Sequence, residues 1–205
     1  MFNSGIELSK IDGSEFKYEV EKNEGIPTQF SYMKQLPPVL NQGDDPICVP
    51  CSISAFLEYQ LSLKSGVINN SKFKLFDIFN SRTNTGEGMT CKEAFKYVIN
   101  AGAKYKDGLI KIYKYFIISS AYTLRHAIYS NGPCILVLPV YNSDITEFWK
   151  KSGKCQGYHA VSVVGYDESG FIIRNSWGAS YGHDGYAYIT NEDINKSKEI
   201  WTLVK

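Results

Sequence analysis

The order of residue patterns along the chain predicts an α+β fold, with helices in the first part and strands in the second. Two runs carry that reading. Between Cys48 and Lys64 the residues Val49, Cys51, Ile53, Ala55, Phe56, Leu57, Tyr59, Leu61 and Leu63 recur with no breaker before Gly66, which predicts a helix. From Cys134 onward the period shortens to two. CILVLPV, AVSVVGY, FIIR, GYAYIT and IWTLV are short β-branched or aromatic runs parted by Gly, Asp and Asn, and each predicts a strand.

The remaining elements follow in chain order. Residues 1–25 are charged and Gly-containing, the only weakly organised stretch, and read as an arm or short pro-segment ahead of a domain spanning 26–205. Pro27, Pro37, Pro38 and Pro46 then forbid a helix and favour extended chain and turns. Pro50 sits in the first turn of the predicted helix, where its missing N–H costs nothing, so that helix starts near Cys48. Apolar residues surround its first half, which predicts burial on all sides. Thr90 followed by Glu93 has capping-box spacing, and Ala94, Phe95, Val98 and Ile99 form one face of a second helix that ends by Gly102. A third helix, around Tyr122 to Ser130, stops at Asn131-Gly132-Pro133.

A chain of 205 residues with 43% apolar content can bury one core or two small subdomains that share an interface. Lysine and arginine number 22 against 21 carboxylates, so no global field points to nucleic acid or an anionic membrane, and neither is expected as a partner. No window of about 18 apolar residues could span a bilayer. The opening MFNSGIELSKIDGSEF lacks the basic segment and apolar core of a signal peptide, so a cytoplasmic or intracellular location is expected. The five cysteines are an odd number without the density of a disulfide scaffold, which fits a reducing compartment and leaves at least one thiol free. Abundant Lys, Ile, Asn and Tyr fit an AT-rich genome; in a viral setting the virion is the second expected location.

Three features carry chemistry. Cys48 stands at a helix N-terminus, where the dipole and unsatisfied N–H groups lower a thiol's pKa toward the thiolate; taken alone it is equally a small buried hydrophobe. In GYHAVSVVGYD, His159 immediately precedes a strand, where a side chain can be held rigidly at a cleft edge, although a satisfied histidine at a strand start has the same pattern. In RNSWGASYGHDGY, Asn175 follows the FIIR strand and is trailed by Trp177 and three glycines; its amide could orient an imidazole or simply shape a turn.

Together these motifs resemble the papain-like cysteine peptidases, in particular their compact bacterial and viral type, from about Ile26 to the C-terminus. Members carry a Pro-rich approach, a Gln-Gly pair, a nucleophilic Cys six residues after that Gln, a His-Ala dipeptide opening a strand and an Asn-Ser-Trp-Gly turn. Here stand PPVLNQG, Cys48 six after Gln42, His159-Ala160 and Asn175-Ser176-Trp177-Gly178, in the same order. The resemblance implies a helical subdomain carrying the nucleophile helix, an antiparallel β subdomain, and an active site in the cleft between them. It implies a catalytic triad of Cys48, His159 and Asn175, an oxyanion hole containing Gln42, support from Trp177, and substrate backbone held at Gly86 and Gly88. No metal or other cofactor is implied. The implied partner is a peptide or protein substrate, and the implied state is a monomer. Cys51 lies nine residues after Gln42 and one turn inside the helix, and reads as a packing residue.

The chain departs from the family around the nucleophile, where Pro46, Ile47 and Val49 replace the usual Gly, Ser and Trp. A Pro at the position of Pro46 crowds the place where family members pass substrate backbone. About 25 residues precede the region of resemblance, where many relatives carry a longer inhibitory segment, and residues 2–24 could fold back over the cleft. Two alternatives use the same fold: a catalytically idle peptide-binding module, and a transpeptidase or isopeptidase that passes through the same acyl-thioester.

Overall fold

The computed structural model describes residues 5–20, 25–65, 73–84, 86–106 and 108–205. Five α-helices are present among them: α1 Cys48–Ser65, α2 Leu75–Phe79, α3 Cys91–Asn100, α4 Ala121–Asn131 and α5 Asn191–Ile194. The strands are β1 Phe30–Ser31, β2 Ala103–Tyr105, β3 Gly108–Ile110, β4 Lys114–Ile117, β5 Cys134–Val140, β6 Gly157–Tyr166, β7 Gly170–Arg174, β8 Tyr186–Thr190 and β9 Glu199–Val204. The three long helices and the five late strands fall where the periodicity places them. Four short strands, β1 to β4, and the short helices α2 and α5 lie outside that expectation, because segments of two to five residues are too brief to show a period.

The main sheet runs β4-β9-β5-β6-β7-β8 in space, with β1 added along β6, and all its pairings are antiparallel. Two buried clusters form the core. One joins Val49, Ile53, Phe56 and Leu57 of α1 to Ala94, Phe95 and Val98 of α3 and to Trp201 of β9. The other joins Leu124 and Ile128 of α4 to Leu136, Leu138, Val161, Val163, Phe171 and Ile173 of the sheet.

Helix α1 lies between the helical layer and the sheet, and every residue from Cys48 to Glu58 is buried, as an apolar helix without a polar face requires. Its one buried acid, Glu58, meets Arg174 at the end of β7 at 3.3 Å. Arg174 also donates to the carbonyls of Pro37 and Pro38, so one guanidinium ties α1, β7 and the proline-rich approach together. Helix α3 starts with the capping box read from Thr90 and Glu93. Helix α4 has a second box between Ser120 and Thr123 and ends at Gly132, whose φ of 116° is outside the comfortable range of residues with a Cβ.

The N-terminal segment does not stand away from the domain. Ile6 forms a parallel bridge with Met89, Lys17 bridges Ile117, and Ser9 donates its N–H to the buried Glu199 carboxylate at 2.5 Å. Residues 1–4 and 21–24 of the expected arm lie outside the described residues.

Candidate active site

The proline-rich approach delivers Gln42 against the turn after β7. Gln42 N–H donates to the Ser176 carbonyl at 2.8 Å, Gly178 N–H donates to the Leu40 carbonyl at 3.0 Å, and Asn41 bridges Trp177. Ser176 Oγ then donates to Gln42 Oε1 at 2.5 Å, while Gln42 Nε2 donates to the Asp45 carbonyl at 2.8 Å. Both ends of the Gln42 amide are therefore fixed. Three residues after Asp45, α1 begins at Cys48, and the first intrahelical bond runs from Cys51 N–H to the Ile47 carbonyl at 3.0 Å.

β6 and β7 deliver the other half. Pairing of Leu138 with His159 and of Val137 with Ala160 holds the start of β6 in the sheet, and Asn175 follows directly on Arg174 of β7. His159 Nε2 and Asn175 Oδ1 are 2.7 Å apart. Asn175 Oδ1 also accepts the Ser176 backbone N–H at 2.8 Å, which identifies it as the acceptor end of the amide. His159 Nε2 must then carry the hydrogen, and Nδ1 becomes the ring's proton-accepting nitrogen. Trp177 stacks on the imidazole with ring centroids 4.6 Å apart at 29°, and Phe148 meets it edge-on at 5.5 Å. These rings exclude water from the His159–Asn175 bond.

The two halves meet at the sulfur. The backbone N–H groups of Ala160, Val49, Cys48 and Gly5 each favour the Cys48 thiolate, which places the thiol near the His159–Ala160 dipeptide. Cys48 is wholly buried, and desolvation pushes its thiol up to about 11, with those N–H groups offsetting only part of the effect. Desolvation likewise pushes His159 down to about 4 against the opposing bond to Asn175. The expectation of a thiol lowered toward its thiolate is thus reversed in this conformation. Burial opposes the helix N-terminus, disfavouring the thiolate of Cys48 and the imidazolium of His159.

Ile6 of the N-terminal segment shares the buried cluster that contains Cys48. Gly5 N–H faces the sulfur, and a Cβ on Gly5 would sit 2.6 Å from the Pro46 carbonyl carbon. Glu7 N–H donates to the Met89 carbonyl at 3.3 Å and Met89 N–H to the Gly5 carbonyl at 3.2 Å, so residues 5–7 lie as an added strand along the Gly88–Met89 segment. A Cβ on Gly88 would be 2.7 Å from the Ile6 carbonyl carbon, and one on Gly86 would collide with the Glu7 carboxylate. Residues 5–7 of the same chain thus pack directly against Gly86 and Gly88, the two glycines expected to hold substrate backbone.

The structure thus draws Cys48, His159, Asn175, Gln42 and Trp177 into one site. Ser176, Phe148 and Gly5 also belong to it and carry no role in the sequence reading. Ser176 stands inside the Asn-Ser-Trp-Gly motif and could have been singled out there. Phe148 and Gly5 have no local signal, because their contacts are made across the fold.

Comparison with known proteins agrees with this architecture. A family model described as papain family cysteine protease matches residues 103–202, which include His159 and Asn175. Rat procathepsin L is 29% identical over 194 residues, covering 77% of this chain and 58% of that protein. Mouse cathepsin K is 26% identical over 223 residues, covering 93% of this chain and 68% of that protein. The chain therefore spans less than two thirds of procathepsin L. Among solved structures, xylellain, a cysteine protease from Xylella fastidiosa, superposes with a TM-score of 0.81 at 19% identity, covering 98% of this chain and 96% of that one. A Carica candamarcensis cysteine protease in complex with E-64 superposes with a TM-score of 0.72 at 20% identity, covering 88% of this chain and 99% of that one.

Proposed function

The chain is papain-like in sequence and in fold, and from that premise we propose that it is a cysteine peptidase with Cys48 as nucleophile and residues 26–205 as its catalytic domain. The observation that carries the reading is the double acceptance at Asn175 Oδ1, which fixes the His159 tautomer with Nδ1 as the base, together with Cys48 Sγ lying beside Ala160. His159 Nδ1 takes the Cys48 proton, and the thiolate attacks the scissile carbonyl. Negative charge then builds on the carbonyl oxygen, where the second N–H of Gln42 and the backbone N–H of Cys48 stabilise it. The imidazolium protonates the leaving amine, and water hydrolyses the acyl-thioester with His159 again acting as base. The substrate is a peptide or protein, and the active unit is a monomer.

Residues 5–7 occupy the cleft, and on this reading the N-terminal arm holds the peptidase closed. Displacing the arm lets water back to the site, which removes the desolvation that keeps the thiol protonated and restores the thiolate favoured by the helix N-terminus. Hydrolysis of a fluorogenic peptide library by the intact chain and by a variant with a loosened arm tests the assignment, with Cys48→Ser and His159→Ala alongside. Turnover that rises with arm release and vanishes in both substitutions is expected. Turnover retained in Cys48→Ser refutes the assignment, and peptide binding without turnover in the loosened chain would instead indicate an idle binding module.

A further inference from the structure

We propose that Cys48 and Cys51 close into a reversible intramolecular disulfide, making the first turn of α1 an oxidation site through which peroxide-class oxidants silence the peptidase and dithiols restore it. The inference rests on the reading of Cys48 as the reactive thiol and adds a role for Cys51, which that reaction does not use.

The sequence Cys48-Val49-Pro50-Cys51 is a Cys-x-x-Cys motif at a helix N-terminus. Two residues three apart on an α-helix have Cα atoms about 5 Å apart, inside the roughly 4.4–6.8 Å that a disulfide spans. Every Cα–Cβ bond of a helix tilts toward its N-terminus, so the Cys51 side chain leans back over the turn that carries Cys48. The Cys51 N–H bond to the Ile47 carbonyl shows that this turn is formed. Both cysteines are free thiols, Cys48 fully buried and Cys51 4% exposed. Charge on Cys48 raises the Cys51 pKa, second only to burial, as expected for neighbouring sulfurs. The ring closed by such a bond is small and gains little from restricting the unfolded chain, which marks it as labile rather than structural.

The chemistry balances. The Cys48 thiolate attacks one oxygen of hydrogen peroxide; the S–O bond forms, the O–O bond breaks, and the departing hydroxide takes the proton that Cys48 had given to His159 and leaves as water, giving Cys48 sulfenic acid. Cys51 sulfur then attacks Cys48 sulfur; the S–S bond forms, the S–O bond breaks, and the departing hydroxide takes the Cys51 proton as water. Two electrons pass from the thiols to the peroxide, and the products are one disulfide and two waters. Cys51 thereby stops the nucleophile from climbing to the irreversible sulfinic and sulfonic acids. With the arm in place no peroxide reaches Cys48, so only the opened enzyme is exposed to the switch.

Cys91, at the start of α3, is the competing partner, because it too is buried and senses charge on Cys48. The test uses the full chain carrying Ile6→Ala to loosen the arm. It is treated with hydrogen peroxide, its remaining thiols are alkylated, and peptides are mapped without reduction, with activity followed before and after dithiothreitol. A Cys48–Cys51 linkage, loss of activity, and recovery with dithiothreitol are expected. Cys51→Ser in the same background should keep basal turnover but convert reversible loss into permanent loss, with Cys48 recovered as sulfinic or sulfonic acid. A linkage to Cys91, or over-oxidised Cys48 with Cys51 still reduced in the Ile6→Ala chain, overturns the proposal even if Cys51→Ser fails to fold. Labelling of the untreated chain by an epoxide separates the two readings. Cys48 that takes up epoxide yet forms no disulfide refutes the switch alone, and Cys48 that does neither refutes the peptidase assignment as well.

Discussion

Ile6→Ala should open the site. Ile6 is 3% exposed and shares a buried cluster with Cys48, Met89 and Ala160. Shortening it to Ala removes about three methylene equivalents from that contact, roughly 2 kcal/mol at ~0.8 kcal/mol each. The arm stays tethered, so its local concentration is unchanged and the loss falls on the closed state. About 2 kcal/mol corresponds to a roughly 30-fold rise in the open-to-closed ratio. Turnover of a fluorogenic peptide and the alkylation rate of Cys48 should rise together by that factor while the closed form still dominates. Gly5→Ala should act in the same direction for a different reason, since its Cβ would strike Pro46 at 2.6 Å. Leu8→Ala is the control, because Leu8 is 39% exposed and should change neither rate appreciably. Unchanged rates in both Ile6→Ala and Gly5→Ala, or an equal rise in Leu8→Ala, would refute the view that residues 5–7 close the site.

Two further outcomes follow from the geometry. In an arm-loosened background, Gln42→Ala should lose about 10²–10³ in kcat with little change in thermal stability, by analogy with removal of one oxyanion donor. Ser176→Ala, which frees only the far end of that amide, should lose about tenfold, in keeping with one hydrogen bond of about 1–1.5 kcal/mol; equal losses would mean that Ser176 does not act through Gln42. The second concerns stability. Burial raises Glu58 to about 7, with Arg174 opposing it, so the folded state holds the proton more tightly than the unfolded chain with its ordinary value of 4.5. Unfolding therefore releases a proton between those values, and stability is full below about pH 4.5 and falls as pH rises through about 7, by roughly 3 kcal/mol. Urea denaturation across that window should show the fall, and Glu58→Gln should flatten it; a wild-type curve that is already flat would contradict the burial argument.

Much of the fold was legible because its long elements are strongly patterned. The unbroken apolar run of α1 is buried on all sides over its first half, the Thr90–Glu93 box starts α3 where its spacing places it, and the apolar runs of β5, β6 and β9 are buried almost throughout, so local pattern and tertiary environment agree. The residues of the candidate site could be read in the sequence because each is positioned by nearby chain: Cys48 by its helix start, His159 by the opening of β6, Asn175 by the end of β7. What stayed hidden depends on contacts between segments far apart in sequence. Ser9 meets Glu199, Gly5 meets Pro46, and Phe148 meets His159, and none of these pairs leaves a local signature. The same physics explains the reversed thiol. A helix N-terminus can be read from Cys48 and Pro50, whereas the desolvation that opposes it comes from a buried cluster gathered from segments far apart in the chain.

The central claim is that Cys48 is the nucleophile. It is tested most directly by labelling the Ile6→Ala chain with an epoxysuccinyl-type thiol reagent between about pH 4 and about pH 9, followed by peptide mapping. Modification at Cys48 alone is expected, with loss of turnover in proportion to label incorporated. Label on Cys51 in place of Cys48, or full activity after Cys48 is modified, would contradict it.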